Sequence, residues 1–164
     1  MRLARNRNCA ATALAASIVS AVALTTFGSS LALAVDTVTS KDAPDLASVR
    51  AKIKAKDYQA ALVELRTVAD THQHPDVYTL IGFSLRKTGD YTTALTFYKK
   101  ALDFDANHKG AREYLGELYV ETGQLPNARE QLAALAKQCP QGCEEREDLE
   151  RAISAAEQHD GSLR

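Results

Sequence analysis

Two segments of the chain share one residue pattern, which recurs with a period of about 34 residues. Gly82 and Gly116 are separated by the same interval as Ala94 and Ala128, within the segments 75–108 and 109–142. A fixed period of this length indicates stacked structural units, none of which buries its apolar surface alone. The two segments also share a helical pattern of apolar residues, so each unit is predicted to be a pair of antiparallel helices.

The repeated positions predict how the two helices of a unit pack together. Small residues occupy positions 8 and 20 of each unit, where they allow the helices to approach closely. Larger residues fill the surrounding space, among them Tyr98 and Leu132 at position 24. Gly89 and Gly123 lie between the helices, where glycine ends a helix by adopting a left-handed conformation at low cost.

A weaker unit precedes these two. Residues 57–62 mirror residues 90–95 at an offset of 33, so Ala61 takes the role of position 20. Val49 stands where the glycine of position 8 is expected. We therefore predict a degenerate helical hairpin over 44–74, with a first helix from about Pro44 to Lys56. Because at least three units are usually needed for stability, this hairpin is expected to be an obligatory part of the fold.

The pattern resembles the tetratricopeptide repeat. The small residues at positions 8 and 20, the aromatic residue at position 24, Ala101 at position 27 and Pro140 at position 32 agree with that family, while Leu135 and Ala106 depart from it. The resemblance implies an all-α, right-handed α-solenoid of about two and a half units. The residues that carry the repeat are Ala61, Gly82, Ala94, Tyr98, Ala101, Gly116, Ala128 and Pro140.

The segment 1–34 has the pattern of a secretory signal peptide. Arg2, Arg5 and Arg7 precede an apolar run over 9–27, and Ala32-Leu33-Ala34 offers small residues to a signal peptidase. We expect cleavage after Ala34, a short linker over 35–43, and a periplasmic or secreted protein. An uncleaved membrane anchor over residues 8–28 stays open, because about 20 apolar residues can span a bilayer.

The net charge excludes two classes of partner. Removal of residues 1–34 takes three of the 20 basic residues and no acidic ones, which leaves 17 basic against 21 acidic residues and a net charge of −4. A slightly acidic chain with no basic helix face is unlike proteins that bind nucleic acid or anionic membranes.

Cys139 and Cys143 would be the two cysteines of the mature chain. An even number of cysteines in an exported protein predicts a disulfide, and a separation of four residues across a turn is compatible with one. The segment 143–158 is predicted to be a capping helix with an apolar stripe, followed by a tail over 159–164. With the signal peptide, this Cys-x-x-x-Cys junction resembles small exported repeat proteins of bacteria. A catalytic dithiol is the alternative role of the pair.

The inner face of such a stack comes from the first helix of each unit. The resemblance places nine residues on this groove: Arg50, Lys54, Thr79, Phe83, Arg86, Lys87, Glu113, Glu117 and Glu121. One hypothesis is a groove with a basic half, an acidic half and Phe83 as an apolar anchor. The alternative is that Arg86 and Lys87 neutralise Glu117 and Glu121, and that Phe83 packs on Ile53 or Val120.

No catalytic, cofactor or metal motif is recognised. His72 and His74 form a close histidine pair, and a zinc site needs at least a third ligand, so they are interpreted as loop residues. We therefore expect a non-enzymatic adaptor of the bacterial cell envelope that binds a protein of unknown identity, and formation of a homo-oligomer stays open. The alternatives are a membrane-tethered assembly component and a thiol–disulfide oxidoreductase using Cys139 and Cys143.

Overall fold

The computed structural model describes the backbone of residues 43–162 and the side chains of residues 43–159. The predicted signal peptide, the alternative membrane anchor and nearly all of the predicted linker lie outside the described residues. Among the helices that are described, none combines the length and the apolar character needed to cross a membrane.

The described residues form seven α-helices and no strand. Successive helices pack on one another along the chain, α3 also contacts α5, and α5 also contacts α7. This arrangement confirms the predicted α-solenoid of antiparallel helix pairs. The helices are α1 (Ala47–Lys54), α2 (Tyr58–Thr71), α3 (Pro75–Lys87), α4 (Tyr91–Phe104), α5 (Lys109–Glu121), α6 (Leu125–Gln138) and α7 (Glu144–Ser162).

The turn inside each helix pair uses the same backbone conformation. Gly89 and Gly123 have φ values of 88° and 73°, in the left-handed region that glycine adopts easily. Lys56 takes the equivalent place in the turn of the first hairpin and also has a positive φ, of 61°. A side chain in this conformation costs about 1 kcal/mol relative to glycine. The first hairpin is therefore degenerate in its turn as well as at Val49.

Equivalent aspartates begin the second helix of the first two pairs. The backbone N–H of Ala60 donates to Oδ1 of Asp57 at 3.1 Å, and that of Thr93 donates to Oδ1 of Asp90 at 3.1 Å. Each bond satisfies one of the N–H groups that an α-helix leaves unpaired at its first turn. The same local signal thus sets the start of α2 and α4.

The two glycines at position 8 meet different helices. A Cβ atom at Gly82 would lie 2.7 Å from Cε1 of Tyr98 on α4, which is the partner helix of the same unit. A Cβ atom at Gly116 would clash with the side chain of Leu149, which belongs to α7. The close approach in the second unit therefore involves the capping helix and not position 24 of its own unit.

The apolar core has two parts. The larger cluster extends from Leu46 to Leu118, and the smaller one joins α6 to α7 through Ala128, Leu135, Leu149 and Ile153. Leu135, which departs from the repeat pattern, has no exposed surface and packs in this second cluster. The larger side chain at this position contributes to the surface on which α7 packs.

Cys139 and Cys143 form a disulfide between the end of α6 and the start of α7, with their Cα atoms 6.0 Å apart. Pro140 is exposed in the turn that the disulfide closes. Three glutamates follow in the first turn of α7, where negative charge is favourable against the helix dipole. The junction therefore fixes the direction in which the last helix leaves the repeats.

Candidate functional site

A cavity of about 240 Å³ lies between the first helices of the three hairpins. We call it the groove cavity. Its walls come from α1, α3 and α5 and combine apolar, aromatic and basic side chains: Arg50, Ile53, Lys54, Leu80, Phe83 and Tyr114. A larger depression of about 500 Å³ is lined by residues of α7 alone and is not enclosed by a second helix. The groove cavity is therefore the better formed site.

Phe83 stands at the centre of an aromatic row, of which Phe83 and Tyr114 line the groove cavity. Its ring centroid lies 5.0 Å from that of Tyr114 and 6.2 Å from that of Tyr58. These distances are typical of favourable aromatic pairs. Phe83 is half-buried and its ring forms part of the cavity wall. It thus packs against its neighbours and still offers an apolar surface to a ligand.

The basic edge of the groove cavity is formed by α1. Arg50 and Lys54 lie one helical turn apart and are both exposed. Arg50 has one acidic neighbour, Asp76, at 3.9 Å between Nη2 and Oδ2, and 59% of its side chain is exposed. A pair of this kind contributes little to stability and leaves the guanidinium group accessible.

Arg86 neutralises most of the predicted acidic half of the groove. Its Nη1 and Nη2 atoms each lie 2.5 Å from a carboxylate oxygen, of Glu121 and Glu117 respectively. Arg86 is only 2% exposed and also lies 5.5 Å from the centroid of the Phe83 ring. Its buried charge is therefore held between α3 and α5, and the two glutamates are already paired.

A second cavity of about 240 Å³ adjoins the first through Tyr114, which lines both. We call it the acidic cavity. Four of its lining residues carry carboxyl groups, and the full set is Gly110, Glu113, Tyr114, Glu144, Glu145 and Asp148. The carboxyl groups of α5 and α7 meet here because the disulfide-closed turn brings α7 back onto α5.

Glu113 is the buried member of the acidic cavity, with 8% of its surface exposed. Burial, together with the nearby charges of Glu117, Asp148 and Glu145, raises the pKa of the Glu113 carboxyl to about 8, although Arg86 acts in the opposite direction. Burial also raises the pKa of Tyr114 to about 12. The carboxyl of Glu113 therefore holds a proton near neutral pH unless a cation approaches it.

Comparison with known families identifies the fold of these helices. The sequence profile of the tetratricopeptide repeat matches residues 85–153, from the end of α3 into α7. These residues match the tetratricopeptide repeat in sequence, and their antiparallel helix pairs agree with that fold. No curated protein matches the sequence. Among solved structures, the crystal structure of PcrH in complex with the chaperone binding region of PopD is similar, with a TM-score of 0.58 at 16% identity, over 72% of this chain and 90% of the PcrH chain.

The helix pairs place the nine predicted groove residues in three settings. Arg50, Lys54 and Phe83 line the groove cavity, and Lys87 is exposed with its Nζ atom 5.4 Å from the centroid of the Phe83 ring. Glu117 and Glu121 are paired with Arg86. The other three predicted residues are buried, with exposed fractions of 4% for Thr79, 2% for Arg86 and 8% for Glu113.

Three residues of the groove cavity were not predicted from the sequence to line it: Ile53, Leu80 and Tyr114. Leu80 and Tyr114 both occupy position 6 of their repeat units and are one repeat period apart. The recurrence of a large residue at this position was a usable signal. The resemblance placed only the nine residues named above on the inner face, and position 6 is not among them.

Two histidines of the described chain, His74 and His108, cap the N-termini of helices. His74 begins α3 and accepts from the backbone N–H of Asp76 through Nδ1 at 3.2 Å. His72, the other member of the predicted histidine pair, lies at the end of α2. His108 caps α5 through Nδ1, and its Nε2 lies 2.9 Å from Oδ1 of Asp76. Within residues 43–162, no group of three or more histidine, cysteine, aspartate or glutamate side chains is placed to hold a metal ion.

The contribution of the buried Glu113 carboxyl to the stability of the fold is expected to fall as the pH rises from about 4.5 to about 8. The folded state has the higher pKa, so in this window it binds more protons than the unfolded chain, and the free energy of unfolding falls with pH. Glu113→Gln removes the ionisable group. It is expected to raise the free energy of unfolding near pH 8 by about 1–2 kcal/mol and to leave it nearly unchanged near pH 4.5.

Thermal unfolding followed by circular dichroism at several pH values measures this difference. Glu130→Gln on α6 is the control, because Glu130 is exposed and should give no pH-dependent change relative to the wild type. If Glu113→Gln were no more stable than the wild type near pH 8, the Glu113 carboxylate would not be desolvated.

Proposed function

We propose that this protein is a non-enzymatic adaptor of the bacterial cell envelope that binds a segment of a partner protein on its concave face. The segment places a large apolar side chain against Phe83 and Tyr114 and an acidic residue near Arg50 and Lys54. The single observation that carries the proposal is the groove cavity, where half-buried aromatic rings lie beside two exposed basic side chains.

The chemistry of the groove cavity supports this kind of ligand. Apolar side chains anchor protein segments when they enter an aromatic-lined pocket, and nearby charges of opposite sign orient the segment. Because Arg50 and Lys54 are accessible while Glu117 and Glu121 are paired, the accessible charge beside the aromatic rings is basic. The preferred residue next to the apolar anchor is therefore acidic.

The similar fold of PcrH agrees with this proposal. That protein was crystallised with the chaperone binding region of PopD. Helical repeat proteins present curved surfaces for other proteins and rarely carry catalytic groups. A groove formed by only three hairpins would bury about 800 Å² or less on each side, so we expect weak binding that is strengthened when two sites act together.

A selected peptide tests the proposal directly. A phage-displayed library of short random peptides is selected on the protein, and the affinity of the enriched peptides is measured by fluorescence polarisation. We expect them to contain a large apolar residue next to aspartate or glutamate. Phe83→Ala should weaken binding by about tenfold or more, since an anchor contributes on the order of 1–2 kcal/mol.

Val63→Ala is the matched control, because Val63 is an apolar residue on α2 that is 66% exposed and does not line the groove cavity. Its affinity for the peptides should equal that of the wild type. Lys54→Glu should also weaken binding of the peptides. Because Lys54 is exposed, this variant is expected to fold, so the proposal can be tested even if Phe83→Ala does not fold. Equal affinity of the wild type and both groove variants would overturn the proposal.

In cells, a photo-crosslinking residue at position 83 is expected to capture a partner, whereas one at Lys99 on the exposed surface of α4 is not. The selected peptide should compete with the captured protein. Capture at position 99 alone would place the interaction on the outer surface and contradict the proposed groove.

We also propose that cleavage after Ala34 releases the protein into the periplasm or the medium. The basis is the sequence of residues 1–34, with its basic start, apolar run and small residues at the cleavage site. Mass spectrometry of the exported protein should give a chain that begins at Val35. An intact chain from Met1 would support the membrane-tethered alternative.

A further inference from the structure

Glu113 presents an unusual combination of burial and missing partners. It is 8% exposed, and no hydrogen bond or ion pair reaches its carboxyl group from the described residues. A buried carboxyl group without a partner is costly in its charged form. Glu113 nevertheless forms a wall of an open cavity of about 240 Å³, so a ligand that enters this cavity meets the group directly.

The charges around the acidic cavity are unbalanced. Glu144, Glu145 and Asp148 from α7 line the cavity together with Glu113, and Glu117 lies one turn along α5. The nearby basic side chains already have partners. Three of them are paired in this way: Arg86 with Glu117 and Glu121, Lys109 with Glu145 at 3.9 Å between Nζ and Oε2, and Arg151 with Asp148. Glu145 and Asp148 are thus partly neutralised, whereas no ion pair from the described residues reaches Glu113 or Glu144.

The residues that line the acidic cavity favour an organic cation over a metal ion. Among the described residues, no cluster of carboxylates is placed closely enough to hold a metal ion. Gly110 forms part of the cavity wall, and a Cβ atom there would meet nothing nearer than the His108 ring at 3.6 Å, so the wall is open at this point. The Tyr114 ring adds an aromatic surface on which a guanidinium or ammonium group packs favourably.

We propose that the acidic cavity binds a basic side chain, lysine or arginine, of the partner segment that the groove cavity holds. Because Tyr114 lines both cavities, one extended segment reaches both of them. The inference rests on the proposed function and adds to it the order of residue types along the bound segment. An acidic residue lies by α1, an apolar anchor by Phe83, and a basic residue between α5 and α7.

Binding of the cation is coupled to loss of a proton. The empty site keeps Glu113 protonated near neutral pH, and the incoming positive charge favours the carboxylate, so a proton is released on binding. Glu117, Glu145 and Asp148 favour the cation as well, while Arg86 opposes it. The affinity for a cation should therefore rise several-fold between about pH 6 and about pH 8.

The test uses N-acetyl-L-arginine amide as the probe and the isosteric, uncharged N-acetyl-L-citrulline amide as its control. Amide resonances of the ¹⁵N-labelled full chain are followed during titration. We expect saturable shifts at Gly110 and Glu145 with the arginine probe, in the millimolar range, and no saturable shifts with the citrulline probe. Glu113→Gln should lower the affinity for the arginine probe by about tenfold and remove the pH dependence of that affinity.

Glu130→Gln is the matched control and should leave the affinity for the arginine probe unchanged. Glu113→Gln is expected to fold, because it removes a buried group that is costly in its charged form. Equal binding of the two probes, or wild-type affinity of Glu113→Gln, would overturn the inference.

The two proposals fail separately. Lys54→Glu should lower the affinity for the selected peptides and leave binding of the arginine probe nearly unchanged, because Lys54 lies on α1 and does not line the acidic cavity. If the groove variants do not affect the selected peptides but the arginine probe binds as expected, the proposed docking groove is wrong and the cation site stands. If the groove variants weaken binding of the selected peptides but the arginine probe does not bind as expected, the cation site is wrong and the docking groove stands.

Discussion

Gly116→Ala is expected to lower the free energy of unfolding by about 1–3 kcal/mol, because the added methyl group enters a tightly packed contact between α5 and α7. A Cβ atom at this position would clash with the side chain of Leu149, which has no exposed surface and therefore little room to move. The loss is expected even though alanine favours a helix over glycine by up to about 1 kcal/mol.

Gly110→Ala on the same helix is the matched control. Its Cβ atom would lie 3.6 Å from the His108 ring, an ordinary contact distance, so helix propensity alone should act and stability should stay equal or rise slightly. Urea denaturation followed by circular dichroism measures both variants, with the slope as a check on the two-state behaviour. Similar changes in the two variants would contradict the packing of α7 on α5.

A double-mutant cycle tests the contact itself. Leu149→Ala alone should cost about 2–5 kcal/mol, because it leaves a cavity in the smaller core. Combined with Gly116→Ala, it should cost less than the sum of the two changes, since the smaller side chain makes room for the methyl group. Strict additivity would mean that the two residues do not touch.

The second large effect is expected from the carboxylates that hold Arg86. Changing Glu117 and Glu121 together to glutamine leaves a guanidinium group that is 2% exposed without a charged partner. Loss of the partners of a buried charge typically costs about 3–5 kcal/mol. The double variant should therefore be among the least stable variants of the inner face, as measured by urea denaturation.

Adding Arg86→Met to the double variant should recover part of that loss, because the uncompensated charge disappears and methionine keeps much of the side-chain volume. Arg50→Met is the control, since Arg50 is 59% exposed and its ion pair with Asp76 is long, so its change should be less than about 1 kcal/mol. If Arg86→Met lowered stability further in the variant that lacks both glutamates, the cost would come from packing and not from the buried charge.

The repeat pattern predicted the architecture because it records contacts that are close in sequence. Ala61, Ala94 and Ala128 are all fully buried at the position assigned to them, and Gly82 lies against Tyr98 as the pattern requires. These contacts join the two helices of one unit through a short turn. Their geometry is therefore set within about 34 residues and repeats with the period.

The repeat pattern could not predict how the charged side chains of the inner face are paired. The sequence left two hypotheses for Glu117 and Glu121, a free acidic half or neutralisation by Arg86 and Lys87. The structure pairs both glutamates with Arg86 and leaves Lys87 beside the Phe83 ring. Which cation reaches a carboxylate depends on the distance between two helices and on side-chain rotamers, and neither is encoded in the spacing of apolar residues.

By itself, then, the sequence determined the helical hairpins, their order and the small residues that let them pack, because those features follow from local turns and a fixed period. The tertiary structure alone decided that Gly116 packs against Leu149, that Tyr114 is shared by two cavities, and that Glu113 is buried beside the carboxylates of α7. The physical reason is that each of these contacts joins different helix pairs. Their energies depend on burial and interhelical distance, which arise only when the capping helix has packed on the repeats.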